Sequence, residues 1–158
     1  MTMNGVQVQE GITRFVGAYA FLSNFHPSVV YIGDNIAYPT AEHAFQAYKT
    51  ADMSQRIRIA HLSTPGEAKG AGRRVDLRPD WEQIKKQAML RVVMAKFTHD
   101  PERAAALCAT DRAPLMEGNT WHDNYWGDCR CGQQACDPRG LNYLGQILMA
   151  ARMVLRAN

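Results

Sequence analysis

The 158-residue chain has 18 basic and 15 acidic residues, a net charge of +3, with 46% hydrophobic and 21% charged residues. That is the make-up of a soluble globular protein, and its length is enough to bury roughly two-thirds of the unfolded surface. No apolar run approaches the ~20 residues of a membrane span, and Met1–Glu10 lacks the apolar centre of a signal peptide, so a cytoplasmic protein with no membrane partner is expected. Thirteen of the 18 basic residues are arginine, a bias that suits bidentate binding of carboxylate or phosphate without arguing for a duplex-binding patch.

In chain order, Ile12–Phe15 predicts a short strand after an N-terminus that is expected to be flexible over residues 1–10. Ser23-Asn24-Phe25 follows the apolar pair Phe21-Leu22 and precedes the breaker His26-Pro27. Val29–Ile32 and Asn35–Tyr38 flank Gly33-Asp34 and predict a β-hairpin. Pro39 and Thr40 then signal a helix start, with Glu42 in the first turn, where the helix dipole favours a carboxylate. On this helix, over Thr40–Ala51, Ala44, Ala47, Tyr48 and Ala51 are spaced to face a core. Glu42, Gln46 and Lys49 share the other side, which on pattern alone is a solvated ladder.

A shorter helix is expected around Ser54–Leu62. Thr64-Pro65-Gly66-Glu67 is a capping-box start for a helix ending near Gly72. Asp80 is expected to cap the longest helix, Trp81 to Thr98, whose stripe is Trp81, Ile84, Ala88, Val92 and Ala95. Asp100-Pro101-Glu102 opens another helix through Ala109, and Leu115-Met116 predicts a short strand. Thr120–Leu141 lacks periodicity and reads as a long loop, a connection that in a compact domain is usually functional. An amphipathic helix with Leu141, Leu144, Leu148, Ala151 and Leu155 closes the chain. The fold class is α+β: one compact, mostly helical domain spanning 1–158, with a small antiparallel sheet near its N-terminus.

Two stretches concentrate chemistry. One is the helix bearing Glu42; the other is Trp121–Asp128, with two Trp, a Tyr, two Asp and a Gly in eight residues. Flat rings beside carboxylates suit a planar base and a sugar, although the same tryptophans could plug a core. Gly127 would let the backbone approach a ligand or turn sharply before Asp128.

Ser23-Asn24-Phe25, Tyr38–Lys49 (Tyr-Pro-Thr-Ala-Glu-His-Ala-Phe-Gln-Ala-Tyr-Lys) and Asn124–Asp128 (Asn-Tyr-Trp-Gly-Asp) occur in that order. Together they resemble the NADAR superfamily of YbiA-like N-glycosidases. The resemblance continues through Glu67-Ala68-Lys69, Gly72-Arg73, Trp81-Glu82, Ala95-Lys96-Phe97 and Asn142–Gly145, covering Phe15 to Arg152. It implies a largely helical α+β domain that hydrolyses N-glycosidic bonds of ribose derivatives. The implied substrates are phosphoribosylamino-pyrimidine intermediates of riboflavin synthesis or ADP-ribose on guanine, the latter making ADP-ribosylated nucleic acid a further partner class.

Such a reaction passes through an oxocarbenium-like state, which needs nearby negative charge, a positioned water and a proton for the leaving nitrogen. Glu42 matches the family's central glutamate and is assigned the catalytic carboxylate. Asp128 is assigned a second catalytic role, with Asp123 behind it. Asn24 would bind sugar hydroxyls or the base edge; Phe25, Trp81 and Trp126 would wall the ring beside Gly127; Lys49, Lys69, Arg73 and Lys96 would contact phosphate. No cofactor and no metal are expected.

The chain departs from the resemblance between Asp128 and Asn142, where a short glycine-rich segment is replaced by Cys129 to Gly140 with three thiols. With His122 these could make a Cys3His zinc site, but Cys-x-Cys-x4-Cys is not a common finger spacing, so unliganded loop thiols are the expectation. A non-catalytic ADP-ribose-binding module is the alternative function, and a zinc-stabilised nucleic-acid adaptor a third.

Overall fold

The computed structural model describes residues 9–137 and 139–158; the expected flexibility of residues 1–10 falls almost wholly outside them. Among the described residues the chain forms a mostly helical α+β fold. Two strands, β1 (Pro27–Tyr31) and β2 (Ala37–Thr40), precede helices α1 (Ala41–Tyr48), α2 (Met53–Ala60), α3 (Pro65–Gly72), α4 (Trp81–Thr98) and α5 (Pro101–Ala109). Two-residue strands β3 (Gly118–Asn119) and β4 (Asp128–Cys129) and the closing helix α6 (Tyr143–Ala157) follow.

The hairpin is antiparallel, with Val30 opposite Tyr38 and a bulge near Pro27. Its turn is held by Asp34, which accepts from the Ile36 amide, the Tyr38 hydroxyl (2.7 Å) and Arg56 (3.2 Å). Strand β2 runs straight into α1, because Thr40 is both the last strand residue and the N-cap, its hydroxyl accepting from the His43 amide. Helix α1 is buried on every side from Ala41 to Ala47, packed against the hairpin, α2, α3 and α4. A solvated ladder is therefore not what Glu42 and Gln46 form. Helix α4 in turn carries α5, α6 and β1.

Several caps follow the sequence signals. Thr64 and Glu67 close the reciprocal box at α3, and Asp100 accepts from the Arg103 amide at α5. Asp80 does not cap α4: it forks with the Arg78 guanidinium at 2.6 and 3.0 Å, a charge-assisted pair that takes both its oxygens. The strands expected at Ile12–Phe15 and Leu115-Met116 shrink to one parallel bridge between Ile12 and Leu115. The segment before Asn24 winds into a 3-10 turn, Gly17–Leu22. Among its described residues the long loop 120–141 keeps only β4, paired parallel to β3, and a 3-10 turn at Gln134–Cys136.

Candidate active site

A cavity of about 790 Å³ opens where the Asn24 loop, α1, α3, the start of α4 and the segments around Glu117 and Trp121–Trp126 converge. Glu42 reaches it from the first turn of α1 and is only 6% exposed. Its backbone amide donates to the Asn24 carbonyl at 3.0 Å, which joins the Asn24 loop to the helix start. Gln46, one turn on, donates to Glu42 Oε1 at 2.7 Å. That arrangement depends on Gly72 of α3, where a Cβ would lie 1.9 Å from Gln46 Oε1. His43 points the other way. Its Nε2 faces the Leu62 carbonyl, which can only accept, so Nε2 carries the proton and Nδ1 accepts from the Thr40 hydroxyl at 2.8 Å.

Burial pushes the Glu42 carboxyl up, while the Gln46 hydrogen bond and the Lys69 and Lys49 charges favour its anion. Glu117, just before β3, also lines the cavity and lacks any such donor. Burial, then the Asp123 and Glu42 charges, push it up to about 8, with Lys69 opposing. Burial thus pushes both glutamates of the cavity toward the acid form, Glu42 against an amide donor and two lysine charges, Glu117 against Lys69 alone. Asp123 is the third carboxylate; its Oδ1 accepts from the Tyr125 and Trp126 amides and fixes the turn that presents both rings.

Lys49, Lys69, Arg73, Lys85 and Arg14 also line the cavity. Among the described residues Lys49, Lys69 and Arg73 make no ion pair, so their charges remain available to an anion. Burial lowers the Lys49 ammonium, opposed by Glu42 and reinforced by Arg73 and Lys69, and its Nζ lies 5.9 Å from the Trp81 ring centre. Phe45 holds Trp81 and Trp126 at 5.3 and 5.2 Å. Trp126 meets Tyr125 edge-on at 4.8 Å. Phe25, 43% exposed, sits at the mouth, and Asn24 is buried with its amide nitrogen on Met89 and its Oδ1 unpartnered.

Of the residues singled out in the sequence, Glu42, Asn24, Phe25, Lys49, Lys69, Arg73, Trp81 and Trp126 therefore meet at one cavity. Three do not line it. Asp128 is 1% exposed and spends its oxygens on Arg130 Nε and the Gly140 amide, both at 2.8 Å, tying the long loop together. Gly127 serves a close approach between protein segments, since a Cβ would lie 2.4 Å from the Glu117 carbonyl. Lys96 is 1% exposed and donates to the Ser23 carbonyl at 2.7 Å, so it braces the loop that carries Asn24 rather than lining the cavity. Glu117 is the residue that sequence reasoning missed. It stands alone in a short irregular stretch with no periodicity, and contacts distant in sequence fix its backbone: its amide donates to Asn142 Oδ1, 25 residues away, and its carbonyl accepts from the Asp128 amide.

The fold and site define a compact α+β protein with a carboxylate-floored, aromatic-walled and cation-lined cavity, equipment that suits a glycoside hydrolase. The family model of the NADAR domain matches residues 14–156, and the chain belongs to that family. It is 39% identical to the N-glycosidase YbiA of Escherichia coli (strain K12) over 150 residues, 92% of this chain and 89% of that one. An N-glycosidase of Nostoc punctiforme is 36% identical over 144 residues, 87% of this chain and 86% of that one. The chloroplastic riboflavin biosynthesis protein PYRR of Zea mays is 34% identical over 152 residues, 85% of this chain but 23% of that longer one. The NMR structure of E. coli YbiA superimposes with a TM-score of 0.78 at 36% identity, covering 94% of this chain and 87% of that chain.

Proposed function

We propose that this N-glycosidase hydrolyses the bond between a ribosyl carbon and a base nitrogen in a phosphorylated ribosyl or ADP-ribosyl substrate. The observation that carries the reading is the pair of buried glutamates on one cavity: Glu42, held by the Gln46 amide beside two lysines, and Glu117, pushed up to about 8 with no such donor. As the bond to the leaving nitrogen lengthens, positive charge grows on the anomeric carbon and Glu42 stabilises it or takes a proton from the attacking water. Glu117 supplies the proton that the departing base needs. Gln46 positions Glu42. Lys49, Lys69 and Arg73 hold phosphate, Asn24 offers its free Oδ1 to a hydroxyl or base edge, and Trp81, Phe25 and Trp126 wall the ring. Asp123 is better placed than Asp128 for a second carboxylate role because it lines the cavity.

The substrate classes are phosphoribosylamino-pyrimidines of the riboflavin route, in keeping with the Zea mays relative's name, and ADP-ribosylated guanine, free or in nucleic acid. The proposed setting is the cytoplasm, in keeping with four free cysteines. The test is incubation with each substrate class separately and mass spectrometry of released base. Release by the wild-type protein, reduced at least ~100-fold in Glu42→Gln with ligand affinity kept, is the expected result. Tight binding of ADP-ribose with no base released from either class overturns it in favour of a binding module.

A further inference from the structure

Outside the catalytic floor, one cluster of side chains has no part in the chemistry above. His122 Nδ1 lies 3.2 Å from Cys136 Sγ, 3.6 Å from Cys131 Sγ and 3.9 Å from Cys129 Sγ, and all four donor atoms fall within 4.8 Å of one another. A tetrahedral zinc with Zn–S near 2.3 Å and Zn–N near 2.0–2.1 Å requires nitrogen-to-sulfur edges of about 3.6 Å and sulfur-to-sulfur edges of about 3.8 Å. The three observed nitrogen-to-sulfur distances straddle that value. Three parts of the loop bring the donors in: the turn after Trp121, the end of strand β4 with Cys131 two residues beyond it, and the 3-10 turn at Gln134–Cys136. His122 holds a left-handed backbone, φ +69°, a conformation uncommon for a non-glycine residue.

We propose that His122, Cys129, Cys131 and Cys136 bind one zinc ion as a structural Cys3His site. Four protein donors fill a tetrahedron, so no position is left for water or substrate, and the site is structural rather than catalytic. Three thiolates and Zn2+ leave one net negative charge; Arg139 and Asp137 line a hollow together with Cys129 and Cys136, while Arg130 there is already paired with Asp128. A disulfide between any two of the thiols would leave the third and the imidazole without a role, whereas zinc uses all four. The ion would also fix the cavity rim, because His122 itself and its neighbours Trp121 and Asp123 line the cavity. The long loop then needs no regular secondary structure: Asp128 ties its Gly140 end and the metal ties the rest.

The experiment is metal analysis of the full-length chain purified under reducing conditions without chelator. One zinc per chain is expected, retained in Cys108→Ser, whose thiol on α5 lies outside the cluster, and lost in Cys131→Ser and Cys136→Ser. Should those variants misfold, the wild-type protein stripped of metal and titrated with Co2+ serves instead: tetrahedral thiolate–imidazole ligation gives intense visible d–d bands at a stoichiometry of one. Thiol counting completes the test, with three of the four cysteines shielded by zinc and released by chelator. Substoichiometric zinc together with no cobalt spectrum from fully reduced protein overturns the proposal, as does a mass two hydrogens short that shows a disulfide among the three. Neither result touches the assignment of Glu42 and Glu117.

Discussion

Glu117 and Lys96 are both forced toward their neutral forms, and they leave opposite marks on pH dependence. Glu117 is pushed up to about 8, so as the proposed acid it is active below that pH and is lost as pH rises through it. The kcat/KM profile should therefore fall on its alkaline side near pH 8, since that parameter reports the free enzyme. Glu117→Gln should lower turnover and remove the alkaline limb; a limb that survives unchanged assigns it to another group. Lys96, through burial first and the Arg103 charge second, is lowered to about 7 from 10.5. The unfolded chain then binds more protons than the folded one between those values, so this group makes stability rise with pH from about 7 to 10.5. Urea unfolding of wild type and Lys96→Met at pH 7, 8 and 9 isolates the effect as a difference. The wild type should gain relative to the variant at each step; parallel curves would show that Lys96 keeps its proton in the fold.

At the scale of elements, α1 functions because α3 has no side chain where the two helices touch. A Cβ at Gly72 would lie 1.9 Å from Gln46 Oε1, whereas one at Gly70, two residues earlier on the same helix, meets nothing within 4 Å. Gly72→Ala should therefore cost about 1–3 kcal/mol through overpacking and also lower turnover, because Gln46 must leave Glu42. Gly70→Ala should stabilise the helix by roughly 0.5–1 kcal/mol with turnover unchanged. Denaturant midpoints and rates on the pair check this; equal turnover in both variants would mean that Gln46 does not position the carboxylate. Most of these elements were legible beforehand. The Thr40 and Thr64 caps, the Gly33-Asp34 hairpin and the α4 stripe are local signals, and local signals predicted them. What was not legible came from contacts distant in sequence: α1 buried all round, Asp80 captured by Arg78, Asp128 turned into the loop, and Glu117 brought beside Glu42. The cavity residues showed in the sequence because aromatics, a carboxylate and cations recur in three motifs. The roles within it did not, because role depends on which groups share buried space.

For the molecule as a whole, no one segment owns the cavity. The Asn24 loop comes from the N-terminal side, Glu42 and Lys49 from α1 and its end, Lys69 and Arg73 from α3 and its end, Trp81 and Lys85 from α4, and Glu117 with Trp126 from the segment before α6. A ligand that touches all of them binds the folded chain and has no counterpart in the unfolded one, so occupancy should stabilise the fold as a unit. At free ligand 100 times Kd the gain is about 2.7 kcal/mol. For a chain of this size that corresponds to a rise in Tm of roughly 5–10 °C, at ~2–4 °C per kcal/mol. ADP-ribose is a suitable probe in the Glu42→Gln background, where cleavage is expected to be at least ~100-fold slower and one carboxyl facing the phosphates is replaced by an amide. The rise should grow with ligand concentration. It should shrink sharply when Lys69 and Arg73 are both changed to Ala, because among the described residues those cations make no ion pair and their loss removes phosphate binding without breaking one. Lys86→Ala is the control: it removes a cation stacked 3.8 Å over the Tyr143 ring that does not line the cavity. A thermal shift that is the same in the Lys69/Arg73 variant as in its parent would place the phosphates elsewhere and leave the cavity's cations to some other anion.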